Sequence, residues 1–89
     1  MALIEMYFIP WGKHLKMAGY VEVKLKKETA KAYLLQVEDE DRPVEFWVPK
    51  SQSKATDGGI YVRKWVMESS LEGSLACLML GEHLTEVSV

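Results

Sequence analysis

The sequence predicts a mainly β (α+β) domain: a small, partly closed antiparallel β-barrel with one helix inserted late. Three observations predict it. Apolar and polar residues alternate with period two in two separate stretches: Val21, Val23 and Leu25 against Glu22, Lys24 and Lys26, then Val44, Phe46 and Val48 against Glu45 and Trp47. Glycine, proline and polar clusters punctuate the chain between runs of strand length. With only 89 residues, short antiparallel strands hide their edges most simply by curling toward closure.

The elements follow in order. Residues 2–9, "ALIEMYFI", make a first strand, broken by Pro10, Trp11 and Gly12. "KHLKMAG" is long enough for about two helical turns, with Leu15 and Met17 apolar and Gly19 as its stop. The alternating stretch from Tyr20 turns at "KKET" and returns as "AKAYLLQV", a hairpin with Ala30, Ala32 and Leu34 on one side. "EDEDRP" reads as a solvated loop, because burying its charges unpaired would be prohibitive. "VEFWV" is the next strand, ended by Pro49, which has no N–H for the ladder. After the polar loop "SQSKATDGG" and a brief strand "IYV", "RKWVMESSLEG" is the helix, stopping near Gly73. "LACLML" and "HLTEVSV" form a last hairpin around Gly81 and Glu82.

Size and composition bound the function. Residues 1–89 are expected to form a single small domain with a small core, so well-paired strands or a partner must carry part of the stability. Apolar residues make up 48% and charged residues 27%, a globular rather than a disordered balance. The net charge of -2 argues against a general nucleic-acid coat. Cys77 stands alone, so no intrachain disulfide forms and a reducing, cytoplasmic location is expected. The apolar start carries Glu5 and Pro10 and no basic flank, which reads as a strand and not a signal peptide. No run approaches the ~20 apolar residues of a membrane span, and no membrane association is expected.

The net charge conceals a segregation. Lys13, Lys16, Lys24, Lys26, Lys27 and Lys31 face only Glu22 and Glu28 in their segment, whereas Glu38, Asp39, Glu40, Asp41 and Glu45 surround Arg42 alone. Beyond Lys64 there is no lysine or arginine, while Glu68, Glu72, Glu82 and Glu86 accumulate. Such a chain presents one basic and one acidic face.

Three short motifs, "KETAKAYLL" at 27–35, "WVPKSQ" at 47–52 and "IYVRKWV" at 60–66, resemble a group of small, mostly uncharacterised proteins of bacteriophages and prophages. Those proteins share a K-E-T-x-K-A hairpin, a W-[IV]-P-K-S-Q strand end and a following I-x-[IV]-x-x-W segment that opens a helix. The resemblance spans roughly the middle half of the chain. It departs at the added N-terminal segment, at Arg63-Lys64 in place of Pro-Glu, and at the added C-terminal segment. Arg and Lys at a helix N-terminus oppose the macrodipole, which suggests placement for a contact. The resemblance implies a phage accessory protein acting in the host cytoplasm. It supplies no activity and no catalytic residues.

Two sets of candidate binding residues emerge. Lys24, Lys26, Lys31, Tyr33, Trp47 and Lys50 supply the cations and aromatics of a single-strand binder, with Ser51 and Gln52 beside them. Against this, Trp47 covers the end of a barrel, Pro49 stops the strand, Ser51 caps a turn, and lysines on exposed strands ordinarily prevent edge pairing. Glu38, Asp39, Glu40, Asp41 and Trp11 supply an acidic, aromatic surface for a basic protein partner. The acidic loop lacks the order of a calcium loop, and a solvated turn is its plain reading. His14, His83 and Cys77 match no zinc spacing, no nucleophile has a local signature, and no glycine-rich phosphate loop occurs. Neither metal, cofactor nor catalysis is expected. The apolar first and last segments suit a seam between two copies or a host-protein contact.

The sequence therefore points to a non-enzymatic phage-type binding protein that docks on a host protein complex as an inhibitor or modulator, a defence nuclease being one such target. The alternative is a single-stranded nucleic-acid-binding module associated with phage replication.

Overall fold

The computed structural model describes residues 4–17, 19–40 and 42–88. It is mainly β, as the alternation requires, in two four-stranded antiparallel sheets. The strands are β1 (Glu5–Pro10), β2 (Gly12–Lys16), β3 (Gly19–Glu28), β4 (Ala32–Asp39), β5 (Pro43–Pro49), β6 (Ser53–Ala55), β7 (Gly59–Arg63) and β8 (Thr85–Ser88). Two helices, α1 (Lys64–Glu68) and α2 (Leu71–Leu80), lie between β7 and β8. One sheet has the order β2-β3-β4-β5 and the other β6-β7-β1-β8. Among the described residues no ladder joins the sheets, so the closed barrel expected from the strand count is not found. The two helices supply the cover that closure would have given.

The chain passes between sheets at two corners. At the first, Trp11 alone separates β1 from β2, and Gly12, at φ 94°, takes a backbone conformation that side-chain-bearing residues rarely adopt. The indole pins this corner: Trp11 Nε1 donates to Thr56 O at 2.8 Å, and its backbone N–H donates to Gly58 O at 3.2 Å. At the second, a 3-10 turn over Lys50–Gln52 leads from β5 into β6, held by the Lys50 N–H on Lys31 O at 2.8 Å.

A single hydrophobic cluster draws on both sheets and both helices. Val21, Leu35, Val37 and Val48 come from one sheet, Ile9, Ile60 and Val62 from the other, and Met67 and Leu80 from the helices, all with no exposed surface. At about 25 cal/mol per Å2 of apolar surface, each such side chain contributes about 1.5–3 kcal/mol.

Four further expectations change. "KHLKMAG" is not helical: Lys13 to Lys16 lie in β2, which pairs with β3 from Gly12↔Val23 to Lys16↔Gly19. Two helical turns cannot stabilise themselves, whereas this strand gains a ladder and a cation–π contact of Lys13 Nζ over the Tyr20 ring, 4.0 Å from its centroid. The late helix is two helices, and Gly73 lies inside the second. Ser70 caps α2, its side chain accepting from the Gly73 N–H at 3.0 Å, and α2 runs through "LACLML" to Gly81. Only β8 remains of the expected C-terminal hairpin, and it pairs with β1. In β4, Ala32 and Leu34 do share a side, but Leu35 and Val37 occupy the core side, and Ala30 lies in the turn.

Candidate docking faces

Alternation assigns each strand position to the core or to the outer face of its sheet. On the β2-β3-β4-β5 sheet, Val44, Phe46 and Val48 are buried while Glu45 and Trp47 point outward, as the sequence predicts. Register then composes the outer face. One row runs Lys27, Leu34, Trp47; the next Lys24, Gln36, Glu45; the next Lys13, Glu22, Glu38, Pro43. Lysines and glutamates thus interleave around Leu34 and Trp47. Trp47 is 50% exposed, a large apolar surface left in water beside Leu34.

Gln36 sits in the middle of this face. It is only 8% exposed, and its Oε1 is buried without a hydrogen-bond partner among the described residues. A buried acceptor left unpaired costs about 1–3 kcal/mol. Sequence reading missed both Leu34 and Gln36. The available signal was "YLLQV", a glutamine in the middle of an apolar strand, where a polar side chain needs a reason.

Of the candidate nucleic-acid residues only Lys24 and Trp47 share this face. Lys24 lies 3.8 Å from Glu22. Lys26 falls where the β3–β4 register shifts between Leu25 and Lys27, a bulge beyond which the hairpin projects into solvent. Lys31 is in the β3–β4 turn. Tyr33 points to the opposite side from Trp47, packed against the core edge. Lys50 lies over Tyr33, 5.0 Å from the ring centroid, and its ammonium is bound to Glu28 at 2.5 Å.

The candidate protein-binding residues are also dispersed. Glu38 is on the outer face. Asp39 builds the turn into β5, its Oδ1 accepting from the Arg42 N–H at 2.9 Å. Glu40 folds over Gly19, where a Cβ would come within 2.2 Å of Glu40 Oε1. Asp41 lies outside the described residues. Trp11 is committed to the corner described above.

The remaining titratable groups have structural settings. Burial pushes the Cys77 thiol above its ordinary range, and Glu68 adds to it. Burial likewise raises the Tyr7 hydroxyl, with Cys77 and Glu68 adding. For Lys64 burial acts downward, but Glu86 and Glu5, at 3.4 and 3.8 Å, raise it overall. That pairing accounts for a lysine at the start of α1 despite the helix dipole. His14 and His83 stack with ring centroids 5.1 Å apart, each Nε2 against a backbone carbonyl, of Pro10 and Leu15 respectively. Among the described residues no three His, Cys, Asp or Glu side chains gather as a metal site would require. No described helix is long and apolar enough to cross a membrane.

Compared with family models, curated proteins and solved structures, the chain matches none.

Proposed function

We propose that this chain is a non-enzymatic binding protein that docks on a protein partner through the outer face of its β2-β3-β4-β5 sheet. The observation that carries this reading is the half-exposed Trp47 beside Leu34 on that face. Burying the indole would add apolar area at the centre of the contact. Around them Lys13, Lys24 and Lys27 are balanced by Glu22, Glu38 and Glu45. An apolar centre with a mixed-charge rim suits a protein surface, whereas a nucleic-acid strand would meet three carboxylates. The resemblance of the middle segment to small phage proteins makes a host protein complex, inhibited or modulated in the host cytoplasm, the class of partner.

The test uses the whole chain immobilised in host extract, with Trp47→Ala and Glu45→Lys alongside. A protein retained by the wild type and lost with both variants supports the reading. Retention that neither variant changes, or retention of nothing, overturns it.

A further inference from the structure

The second sheet has an outer face of different character. Register places Lys54, Tyr61, Phe8 and Thr85 in one row across β6, β7, β1 and β8, and Arg63, Met6 and Val87 in the next. Phe8 and Tyr61 sit directly opposite one another on the two central strands, with ring centroids 4.8 Å apart and planes tilted by 50°. Phe8 has a structural duty, since its ring covers Gly59, where a Cβ would come 2.7 Å from Phe8 Cζ. Shielding Gly59 needs Phe8 alone. Tyr61 extends the apolar surface across the next strand to Lys54.

Charge separates this face from the first. Lys54 and Arg63 form no ion pair among the described residues, and no described outward position of the sheet carries a carboxylate. The sheet's acidic strand residues, Glu5 and Glu86, point to the other side with Tyr7, where they pair with Lys64. Two adjacent aromatics flanked by two unpaired cations complement a ligand with flat rings and regularly spaced negative charge. Successive outward positions along a strand are about 6.8 Å apart and neighbouring strands about 4.8 Å apart, so rings and cations are laid out on a nucleotide scale.

We propose that the outer face of the β6-β7-β1-β8 sheet binds single-stranded nucleic acid, with bases stacked on Tyr61 and Phe8 and phosphates held by Lys54 and Arg63. The site is separate from the protein-docking face and from the lysines of the β3–β4 hairpin.

The experiment is fluorescence anisotropy of labelled oligo-dT and oligo-U, about 12 nucleotides long, titrated with the full chain at several salt concentrations. Weak binding is expected at low salt. With two phosphate contacts, log K should fall against log salt with a slope of about −1.4. Tyr61→Ala should weaken binding about tenfold or more. Lys54→Glu, at an exposed edge position that leaves folding undisturbed, should weaken it and make the slope shallower by about 0.7. Lys24→Glu and Trp47→Ala should leave it unchanged, so this proposal and the protein-docking reading fail separately. No binding at low salt, equal binding by Lys54→Glu and the wild type, or loss of binding with Lys24→Glu would each overturn it.

Discussion

Gln36→Met should stabilise the free protein. Methionine has nearly the length and flexibility of glutamine, so it fills the same space among Leu34, Lys24, Glu45 and Trp47 while removing the acceptor that has no partner. Leaving such a group buried costs about 1–3 kcal/mol, and methionine also gains apolar burial at a site only 8% exposed. Some packing mismatch offsets this, usually by less than about 1.5 kcal/mol. A net gain of about 1 kcal/mol corresponds to a rise in Tm of about 4–8 °C for a domain of this size. Calorimetry together with urea titration measures it, and the midpoint should rise without a change in slope. A Gln36→Met protein less stable than the wild type by 1 kcal/mol or more would refute the reasoning, because it would mean that the amide makes a bond worth keeping in the free chain.

Other consequences are equally specific. Trp11→Phe keeps most of the ring but leaves Thr56 O without its 2.8 Å donor, and should cost about 1–2 kcal/mol by urea denaturation. Gly73→Ala would ordinarily gain about 1 kcal/mol in a helix, but here its Cβ would lie 2.4 Å from Met67 O and 2.8 Å from Ser70 Oγ. Overpacking and a disturbed cap, about 1–3 and about 1 kcal/mol, outweigh the gain, and a net loss is expected in thermal melts. The folded state holds the Cys77 and Tyr7 protons more tightly than the unfolded chain does, chiefly through burial. Their contribution is therefore complete below the ordinary thiol value of ~8.5 and is lost as pH rises through the folded-state values. Cys77→Ala should flatten the first part of that alkaline fall in urea midpoints, and an identical fall in both proteins would contradict the assignment.

Strand alternation was legible wherever one face met the core and the other met water. Val44 to Val48 and Val21 to Val23 follow the pattern, and the face of Trp47 came with them. It failed where both faces of an element are apolar or where a segment is too short to carry a period. Met6 and Phe8 alternate with Tyr7 and Ile9, so nothing local distinguishes the core side of β1 from its outer side; only pairing with β7 and β8 does. α2 is apolar nearly all round, burying Gly73, Ala76 and Leu80 and exposing Leu71 and Leu78, so its central run reads equally well as a strand. The candidate sites failed for a related reason. Lysines and aromatics that are close in sequence fall on opposite sides of β4 and β5, and the bulge after Leu25 changes the register again. Tyr61 and Phe8, brought together at 4.8 Å, are 53 residues apart.

The central claim is that an outer sheet face, centred on Trp47, does the binding. Its most direct test is the affinity of the wild type and of Trp47→Ala for the retained host protein, with thermal melts of both chains in parallel. A central indole should weaken binding about 30-fold or more when removed, while Tm falls only by the several degrees that losing the buried half of the ring costs. Equal affinities, or a loss of affinity matched by a collapse in Tm, would contradict the account.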